Sequence, residues 1–319
     1  MQFAKPGHVL QDGLDACGEL IVRDVGFPAH AFQVAFPQLF EPENLRSLFE
    51  PRRRNIHKGS CGHLLIVAGS VGMAGAAAMC AKAALRSGVG LVTVACPEGI
   101  VPILQTLAPG AMCVPLPQRD GAAAPEAAEA VRAALDGKTA AVIGPGLSRR
   151  APAALVSAVL ESGLPAAIDA DALNLIAENP DLKGLLRPHH VLTPHPGEAA
   201  RLLNCPCGDP LADARSLSSL GATAVLTGAS RAIAGGGEIL VSASGAGGMA
   251  RGGSGDVYAG LLGALLAEKS SRTPAESAAA ACELHGLAGM RAQARYGARG
   301  MYAADLIEFL PEVFMEYVD

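Results

Sequence analysis

Short runs of uninterrupted apolar residues alternate along this chain with longer runs in which apolar residues recur at helical spacing. The short runs predict strands, because a continuous apolar run of about four to eight residues fits a strand buried on both faces. The predicted strands cover residues 63–68, 91–96, 111–115, 140–143, 165–169, 191–193, 223–227, 231–234 and 239–242. The predicted helices cover residues 74–86, 124–135, 151–160, 209–220, 257–267, 275–294 and 303–314.

This alternation predicts an α/β fold with a central, mostly parallel sheet that helices cover on both faces. The last two predicted strands flank glycines at 235–237 and are expected to form a hairpin. Ligand sites in such sheets lie at the carboxyl ends of the strands. The glycine-rich and polar segments of this chain follow strands, so we expect them to converge on one edge of the sheet.

The first 50 residues differ from the rest of the chain. They are rich in Phe and Pro and contain one strand-like run at 19–22. Three consecutive arginines at 52–54 follow Pro51, and the strand-helix alternation begins after them. We therefore predict an N-terminal extension over residues 1–50 and a separate domain over residues 51–319.

Composition and charge narrow the function classes. The chain has 319 residues, half of them hydrophobic, with a formal net charge of −5 and no Trp. A net acidic chain with few aromatic residues is not expected to bind nucleic acid. A chain of this length needs no disulfide framework, so the eight cysteines are expected to be reduced thiols. Cys205 and Cys207 alone are a weak indication of a metal site.

An uncharged run over residues 64–81 is long enough to raise the question of a membrane span. Gly69, Ser70, Gly72 and Gly75 interrupt it, which favours a buried strand, a loop and a helix. The first ten residues lack the basic stretch and apolar core of a signal peptide. We expect no membrane partner and a cytoplasmic location.

The segment from Gly245 to Asp256 carries the clearest candidate chemistry. It contains six glycines and runs into an apolar helix. Glycine amides can approach an anion closely and a helix N-terminus adds roughly half a positive charge, which predicts a phosphate cradle. No Lys-Ser/Thr pair follows, so this is not a Walker A loop. Asp256 either caps the helix or accepts a proton from a hydroxyl that attacks the phosphate, and the glycine density favours the second role.

Two further segments that follow strands each have two interpretations. The glycine loop at 144–148 either admits a ligand or is an ordinary strand-to-helix turn. Asp169 and Asp171, with the amide of Asn174 beyond them, either orient Mg²⁺ through water or form a helix start that Asp171 caps.

Two more segments offer candidate ligand contacts. Two prolines fix His195 at a strand end, where ligands of such sheets bind. Glu198 is either a first-turn helix residue or a ligand of Mg²⁺-bound water. The loop at 69–76 opens a helix but lacks the Gly-x-Gly-x-x-Gly spacing of a nicotinamide-binding turn, so it is a weaker candidate.

Taken in order, these segments resemble the NAD(P)H-hydrate dehydratases, the YjeF carboxy-terminal family, which is a branch of the ribokinase-like fold. The series of motifs covers most of residues 52–316 and is far more specific than any single motif. The matching segments lie at 57–94, 143–148, 168–174, 192–203, 245–262, 285–289 and 304–306.

The resemblance implies a metabolite-repair enzyme, a hydro-lyase. NADH and NADPH hydrate slowly at C6 of the nicotinamide ring, and the family restores them with ADP or ATP and Mg²⁺. Phosphorylation of the 6-hydroxyl, followed by loss of phosphate, turns a poor leaving group into a good one. Bacterial relatives imply a homo-oligomer, often a tetramer. The alternatives are a small-molecule kinase for a vitamin precursor and a non-catalytic nucleotide-binding protein.

The resemblance also assigns residues. Asp256 would be the base, and amides around Gly253 and Gly255 would stabilise the transferring phosphoryl group. The residues expected to contact the hydrated nicotinamide nucleotide are Ala76, Gly146, His195 and Asp256, with Asn174 added as the amide beyond the paired carboxylates. The residues expected to contact ADP or ATP are Thr227, Gly228, Ala229, Ser230, Arg231 and Gly255. No residue is assigned as a protein ligand of a metal.

The chain departs from the family pattern in the nucleotide turn and the glycine loop. Thr227 stands where a Lys usually opens the nucleotide turn, and Arg231 stands where a Thr usually ends it. In the glycine loop, Ala246-Gly247 and Arg251 replace the common Asn-Pro and Thr. A phosphate-facing Lys is therefore missing, and we hypothesise that Arg231 or Arg251 supplies its charge.

The segment at 17–28 looks like the last strand of the epimerase domain that often precedes this family's domain. Because the remainder of that domain is absent from the sequence, no epimerase activity is expected.

Overall fold

The fold is built around one large sheet whose strands are almost entirely apolar. The computed structural model describes residues 5–18, 20, 21, 23, 26 and 36–319. The strands are β1 Gln38–Phe40, β2 His63–Val67, β3 Leu91–Pro97, β4 Met112–Leu116, β5 Gln118–Arg119, β6 Ala122–Ala123, β7 Ala140–Ile143, β8 Ala166–Ile168, β9 His190–Leu192, β10 Thr223–Leu226, β11 Arg231–Gly235 and β12 Glu238–Ser242.

Ten of these strands form the sheet in the order β1-β12-β11-β10-β9-β8-β7-β2-β3-β4, while β5 and β6 pair separately. All neighbours in the large sheet are parallel except at β11, which runs antiparallel to β10 and β12. The strand order reverses between β2 and β7. Ligands of such sheets bind at the carboxyl ends of the strands beside this reversal, and the two glycine loops at 69–76 and 144–148 begin there.

Helices cover both faces of the sheet, and the longer ones bury apolar residues against it. The helices are α1 Pro6–Val9, α2 Gly13–Ala16, α3 Pro42–Leu48, α4 Ala74–Arg86, α5 Val101–Leu107, α6 Ala127–Leu135, α7 Ala153–Glu161, α8 Ala170–Glu178, α9 Pro180–Lys183, α10 Pro196–Leu203, α11 Pro210–Ser218, α12 Ser254–Ala267, α13 Pro274–Gly300 and α14 Ala303–Tyr317. A non-helical residue, Gly297, interrupts α13.

The two faces have separate hydrophobic cores. One core lies under α4, α12, α13 and α14, and the other under α6, α7, α8, α10 and α11. Glycine allows the closest contact on the first face, where a Cβ at Gly260 of α12 would lie 2.0 Å from the carbonyl oxygen of Cys80 in α4. The two helices therefore meet backbone to backbone, which holds the start of α12 rigidly over the sheet edge.

The predicted α/β architecture, a mostly parallel sheet with helices on both faces, is confirmed, and the predicted strands and helices after residue 63 are present with ends shifted by a few residues. The sequence pattern did not indicate β1, α3, α5 or α9. Two of the four residues in the predicted strand at 19–22 lie outside the described residues, as does much of the segment at 17–28.

The segment before Pro51 is partly built into the main body. Strand β1 pairs in parallel with β12, and α3 buries Leu45 in the core. The division of the chain at residue 51 remains a prediction, but Gln38–Phe40 is part of the large sheet rather than of a separate extension.

Among the described residues, no helix is long and apolar enough to cross a membrane. Within the same part of the chain, no group of three or more His, Cys, Asp or Glu side chains is arranged to hold a metal ion, so Cys205 and Cys207 do not belong to such a cluster. All eight cysteines are free thiols.

Candidate functional site

A cavity of about 890 Å³ opens at the carboxyl ends of β8, β9 and β10. Its volume lies within the range of small-molecule and cofactor sites. Predicted site residues from three separate segments line it together, which confirms that these segments converge. The predicted residues that line the cavity are His195, Thr227, Gly228, Ala229, Arg231, Gly253, Gly255 and Asp256.

The glycine loop before α12 has a backbone that only glycine adopts easily. Gly253 precedes the helix with φ of +96°, and a Cβ there would lie 2.5 Å from Cε of Met79. The loop therefore packs on α4 at this point, and the first residues of the 14-residue helix α12 line the cavity. An exposed helix start lined by glycine is suited to bind phosphate oxygens.

Asp256 is the third residue of α12 and lines the cavity. Burial, together with the nearby carboxylate of Asp171, raises the pKa of Asp256 to about 6. Its carboxylate is therefore a stronger base than an exposed one but is still ionised at neutral pH, as a general base requires.

Asp169 places a second carboxyl group in the cavity, and the sequence analysis did not distinguish it from Asp171. Its Oδ1 accepts a hydrogen bond of 2.8 Å from Oγ1 of Thr193, and its Oδ2 lies 3.9 Å from where a Cβ on Gly255 would be. Burial is the main cause that raises the pKa of Asp169 to about 7, and the Thr193 hydrogen bond opposes it.

The prediction that Asp171 caps a helix is wrong, because α8 begins two residues earlier than that interpretation requires. Asp169 is the N-cap residue, and Asp171 lies in the first turn. The side chain of Asp171 turns instead to the neighbouring loop, where its Oδ2 accepts a hydrogen bond of 2.8 Å from the backbone N–H of Ser148. Asp171 thus joins the loop at 144–148 to α8.

His195 and Glu198 form the start of α10. Nδ1 of His195 accepts from the backbone N–H of Gly197 at 3.0 Å, and Oε2 of Glu198 accepts from the backbone N–H of His195 at 3.0 Å. This reciprocal capping fixes the half-exposed imidazole at the cavity rim. The pKa of Glu198 is raised, chiefly by burial, and its first-turn helical role is the one that the structure contains.

The turn between β10 and β11 forms one wall of the cavity. The backbone N–H of Thr227 donates to the carbonyl oxygen of Pro194 at 2.9 Å, which joins this turn to the His195 segment. Gly228 and Ala229 line the cavity, whereas Ser230 is buried and does not.

Arg231 is committed to a buried network. Its Nη1 donates to the carbonyl oxygen of Ser244 at 3.0 Å, and its Nη2 lies 2.9 Å from Nδ1 of His285. The hydroxyls of Ser242 and Ser244 in turn donate to the buried carboxylate of Glu283. Arg231 still lines the cavity, but its guanidinium group also holds three neighbouring segments together.

His285 is a cavity residue to which the sequence analysis assigned no role. It is buried, and its Nε2 lies 3.0 Å from the carbonyl oxygen of Ser254, at the start of α12. Burial and the adjacent Arg231 lower the pKa of His285 well below its ordinary value, so the ring is neutral. A neutral ring that accepts from Arg231 at Nδ1 donates from Nε2 to Ser254. Only its place in the family-like segment at 285–289 marked it in the sequence.

Three predicted substrate contacts do not line the cavity in this structure. Ala76 lies in α4 against the loop at 144–148, where a Cβ at Gly146 would be 2.9 Å from that of Ala76. That loop is tied to the other glycine loop, because the hydroxyl of Ser70 donates to the Gly146 carbonyl at 2.9 Å. Oδ1 of Asn174 accepts from Nε of Arg201 at 2.8 Å. Their roles remain predictions.

The comparisons with known proteins agree with this geometry. The family model described as NAD(P)H-hydrate dehydratase matches residues 64–312, which span the sheet from β2 onward and α4 to α14. The chain belongs to the NAD(P)H-hydrate dehydratase family. We therefore interpret the cavity as the site of a member of this family.

Curated relatives and solved structures support the same assignment. The bifunctional NAD(P)H-hydrate repair enzyme of Coxiella burnetii is 39% identical over 303 residues, or 92% of this chain and 59% of that protein. The Escherichia coli enzyme of the same name is 38% identical over 97% of this chain and 58% of its own length. The chain thus spans about three fifths of these relatives.

One solved structure of the same family is that of a nucleotide-dependent enzyme. It is the ADP/ATP-dependent NAD(P)H-hydrate dehydratase of Bacillus subtilis, co-crystallised with ATP and Mg²⁺. It is 27% identical with a TM-score of 0.73, over 88% of this chain and 99% of that one. A ribokinase-like protein of Enterococcus faecalis matches with a TM-score of 0.76 at 26% identity, over 90% of this chain and 99% of that one.

The buried Asp169 of this dehydratase-family chain leads to a prediction about stability. The pKa of Asp169 is raised in the folded protein. Below about pH 4 the carboxyl group is protonated in both the folded and the unfolded protein, and its contribution to the free energy of unfolding is full. That contribution is lost as the pH rises through about 7. Because the Asn side chain does not ionise, Asp169→Asn does not lose this contribution as the pH rises. We expect the variant to gain roughly 2 to 4 kcal/mol relative to wild type between pH 4.5 and pH 8.

Thermal or urea unfolding at the two pH values measures this difference. Asp209→Asn is the matched control, because Asp209 is the N-cap of α11 as Asp169 is that of α8, and it lies outside the cavity. Equal differences between Asp169→Asn and wild type at both pH values would contradict the burial of an ionisable Asp169.

Proposed function

We propose that this chain dehydrates the 6-hydroxy form of NADH and NADPH back to the intact coenzyme, at the expense of ADP or ATP. The observation that carries this proposal is the position of Asp256. It follows a glycine-lined helix start directly and faces one cavity together with His195 and the turn at 227–231. Family membership and the Bacillus subtilis enzyme support the same reaction.

Two features of the cavity suit phosphorylation of a hydroxyl. The ionised Asp256 would accept the proton of the 6-hydroxyl as that oxygen attacks the terminal phosphorus of the nucleotide. The amides at Gly253 and Gly255 would stabilise the charge on the transferring phosphoryl group. The loss of phosphate from C6, together with a hydrogen from C5, would then restore the double bond.

We propose that the turn at 227–231 and the glycine loop bind the nucleotide, while His195 and the loop at 144–148 bind the hydrated nicotinamide nucleotide. In this arrangement, the two substrates would meet at the start of α12. Ala76 and Gly146 lie together beside that start, across α4, and Asn174 lies one turn beyond Asp171. These positions are consistent with contacts to the more distant parts of a dinucleotide.

The residues present fit a magnesium nucleotide rather than a resident metal. Mg²⁺ commonly binds through one or two carboxylates, substrate phosphates and water. The described residues contain no three-ligand cluster, whereas the glycine loop offers amides to phosphate. We propose that the nucleotide phosphates hold the ion, with Glu198 reaching it through water, and that it neutralises phosphate charge.

We further propose a cytoplasmic location and a homo-oligomer, with the tetramer of bacterial relatives as the expected state. The substrate class supports the location, because reduced nicotinamide coenzymes are used there, and all eight cysteines are free thiols. Size-exclusion chromatography with light scattering tests the oligomeric state.

Recovery of absorbance at 340 nm tests the proposed activity. Hydrated NADH is incubated with the protein and Mg²⁺, and then ADP or ATP is added. We expect recovery that depends on nucleotide, and the two arms identify the phosphoryl donor. A folded protein that gives no recovery with either nucleotide would overturn the proposal and favour the small-molecule kinase or the non-catalytic nucleotide-binding protein.

The missing Lys of the nucleotide turn leads to a further prediction. Arg251 is exposed and lines the cavity, and its guanidinium group donates only to the carbonyls of Ala298 and Arg299 among the contacts that the structure describes. Its guanidinium can therefore turn to a phosphate at small cost. We expect Arg251→Ala to raise the nucleotide Kd about 10-fold or more at low salt, because a charge-assisted hydrogen bond is lost.

Arg231→Ala is expected to act mainly on stability, because it leaves His285 and the Ser244 carbonyl without their buried donor. Isothermal titration and thermal unfolding of both variants separate the two effects. Unchanged nucleotide Kd in both would remove the idea that either arginine replaces the Lys.

A further inference from the structure

Dehydration of the hydrated ring requires a second proton acceptor, if the proposed function holds. Hydration adds a hydroxyl to C6 and a hydrogen to C5, so the reverse reaction removes both. Asp256 takes the hydroxyl proton during phosphoryl transfer. The C6–O bond then breaks with its electron pair going to phosphate. The C5–H bond also breaks, its electron pair forms the C5–C6 double bond, and its proton must go to a base.

Among the residues that the structure describes, four carboxyl groups line the cavity, and two of them are poorly placed for this role. Asp15 is exposed and lies on the four-residue helix α2. Oε2 of Glu198 is engaged in the α10 cap, with the His195 backbone N–H at 3.0 Å and the His195 Nε2 at 3.6 Å. Asp256 holds the first proton. This leaves Asp169.

The carboxyl group of Asp169 is aimed at the reacting end of the cavity. Thr193 holds Oδ1 at 2.8 Å, which leaves Oδ2 on the side of Gly255, 3.9 Å from where a Cβ on that residue would be. Gly255 immediately precedes Asp256 in α12. We propose that Asp169 is the second catalytic base, which removes the proton from C5 as phosphate leaves C6.

The backbone around Asp169 is held in a way that supports this role. Ala170 has φ of +49°, a left-handed conformation that costs a non-glycine residue about 1 kcal/mol or more and persists only where its surroundings enforce it. The backbone of Asp169 is also packed closely against Gly144, since a Cβ there would lie 1.8 Å from the carbonyl oxygen of Asp169. The carboxyl group is thereby fixed against the cavity before substrate binds.

The environment of Asp169 also suits proton removal at neutral pH. Burial raises its pKa to about 7, which makes its carboxylate a better base than an exposed one. A catalytic role also accounts for a buried carboxyl group that the fold would be more stable without.

Single-turnover experiments with Asp169→Asn separate the two steps. Enzyme in excess is mixed with hydrated NADH and Mg²⁺ together with ATP, or ADP if that is the donor found. Loss of the terminal phosphoryl group from the nucleotide is measured by chemical quench, and the ring double bond by absorbance at 340 nm. We expect phosphoryl transfer within a few-fold of wild type, about 10²- to 10⁴-fold slower recovery of absorbance, and accumulation of a phosphorylated hydrate.

Two further comparisons make the result specific. Asp169→Glu keeps a carboxyl group and is expected to recover part of the 340 nm rate, whereas Asp209→Asn should match wild type in both steps. Deuterium at C5 of the substrate should slow the 340 nm step in Asp169→Asn but not phosphoryl transfer.

Each remaining outcome has a distinct meaning. Wild-type 340 nm rates in Asp169→Asn would overturn the proposal and indicate that the departing phosphate takes the proton. Equal loss of both steps would also overturn it and make Asp169 a residue of the phosphoryl-transfer site. If wild-type enzyme performs neither step, the proposed function itself fails, which is distinguishable from the failure of this assignment.

Discussion

Replacing Asp256 by Asn or Ala is expected to slow nucleotide-dependent recovery of NADH by about 10²- to 10⁴-fold, the usual contribution of a general base. Nucleotide affinity should stay within a few-fold of wild type, because the amides of the glycine loop remain. Protonation of Asp256 at low pH should lower the wild-type rate in the same way. With the pKa of Asp256 raised to about 6, the wild-type rate of phosphoryl transfer should fall about tenfold per pH unit below that value as the base is protonated.

Steady-state kinetics at 340 nm and isothermal titration with ADP and ATP measure the two effects. Asp305→Asn is the matched control, because Asp305 is the third residue of α14 as Asp256 is of α12, and it does not line the cavity. A variant lacking the Asp256 carboxyl group that kept wild-type activity would exclude it as the base. Loss of nucleotide binding without a change in kcat would assign it to binding instead.

Gly253→Ala is expected to weaken nucleotide binding by about 10- to 100-fold and to lower the free energy of unfolding by about 1 to 3 kcal/mol. The residue has φ of +96°, and the new Cβ would lie 2.5 Å from Cε of Met79. The loop has to shift, and the amides that face the phosphate shift with it. Each amide that loses a charged partner costs about 1.5 to 3 kcal/mol of binding free energy.

Gly237→Ala serves as the control for backbone strain alone. Gly237 has φ of +86° in the β11–β12 turn, and no atom of the described residues lies within 4 Å of the place that a Cβ would take there, so only the conformational cost applies. We expect it to lose stability without losing nucleotide affinity. If Gly253→Ala binds ADP or ATP as wild type does, the glycine loop is not the phosphate cradle.

The fold was predictable because its strands are buried on both faces. Continuous apolar runs such as the one at 140–143 fit strands that are covered on both faces, and helices between them require parallel crossovers. The pattern could not reveal β1 or α3. Their few residues carry no periodicity of their own, and β1 is a strand only because β12 offers it a free edge.

The candidate site was predictable where chemistry is local in the sequence. Glycine spacing indicates the loop that leads to Asp256, and paired prolines indicate the His195 segment. The roles of Asp169 and His285 depend on partners far along the chain. Thr193 and Gly255 orient Asp169, while Arg231 and Ser254 fix the tautomer of His285. Such side-chain orientation is set by tertiary packing.

The fate of the 6-hydroxyl oxygen tests the central claim most directly. Hydrated NADH that carries ¹⁸O at C6 is converted by wild-type protein with Mg²⁺ and nucleotide, and the released phosphate is examined by ³¹P NMR or mass spectrometry. Phosphorylation of the hydroxyl followed by loss of phosphate places one ¹⁸O atom in each phosphate released. Label found in water, with unlabelled phosphate, would show that the nucleotide is hydrolysed separately and would contradict the account.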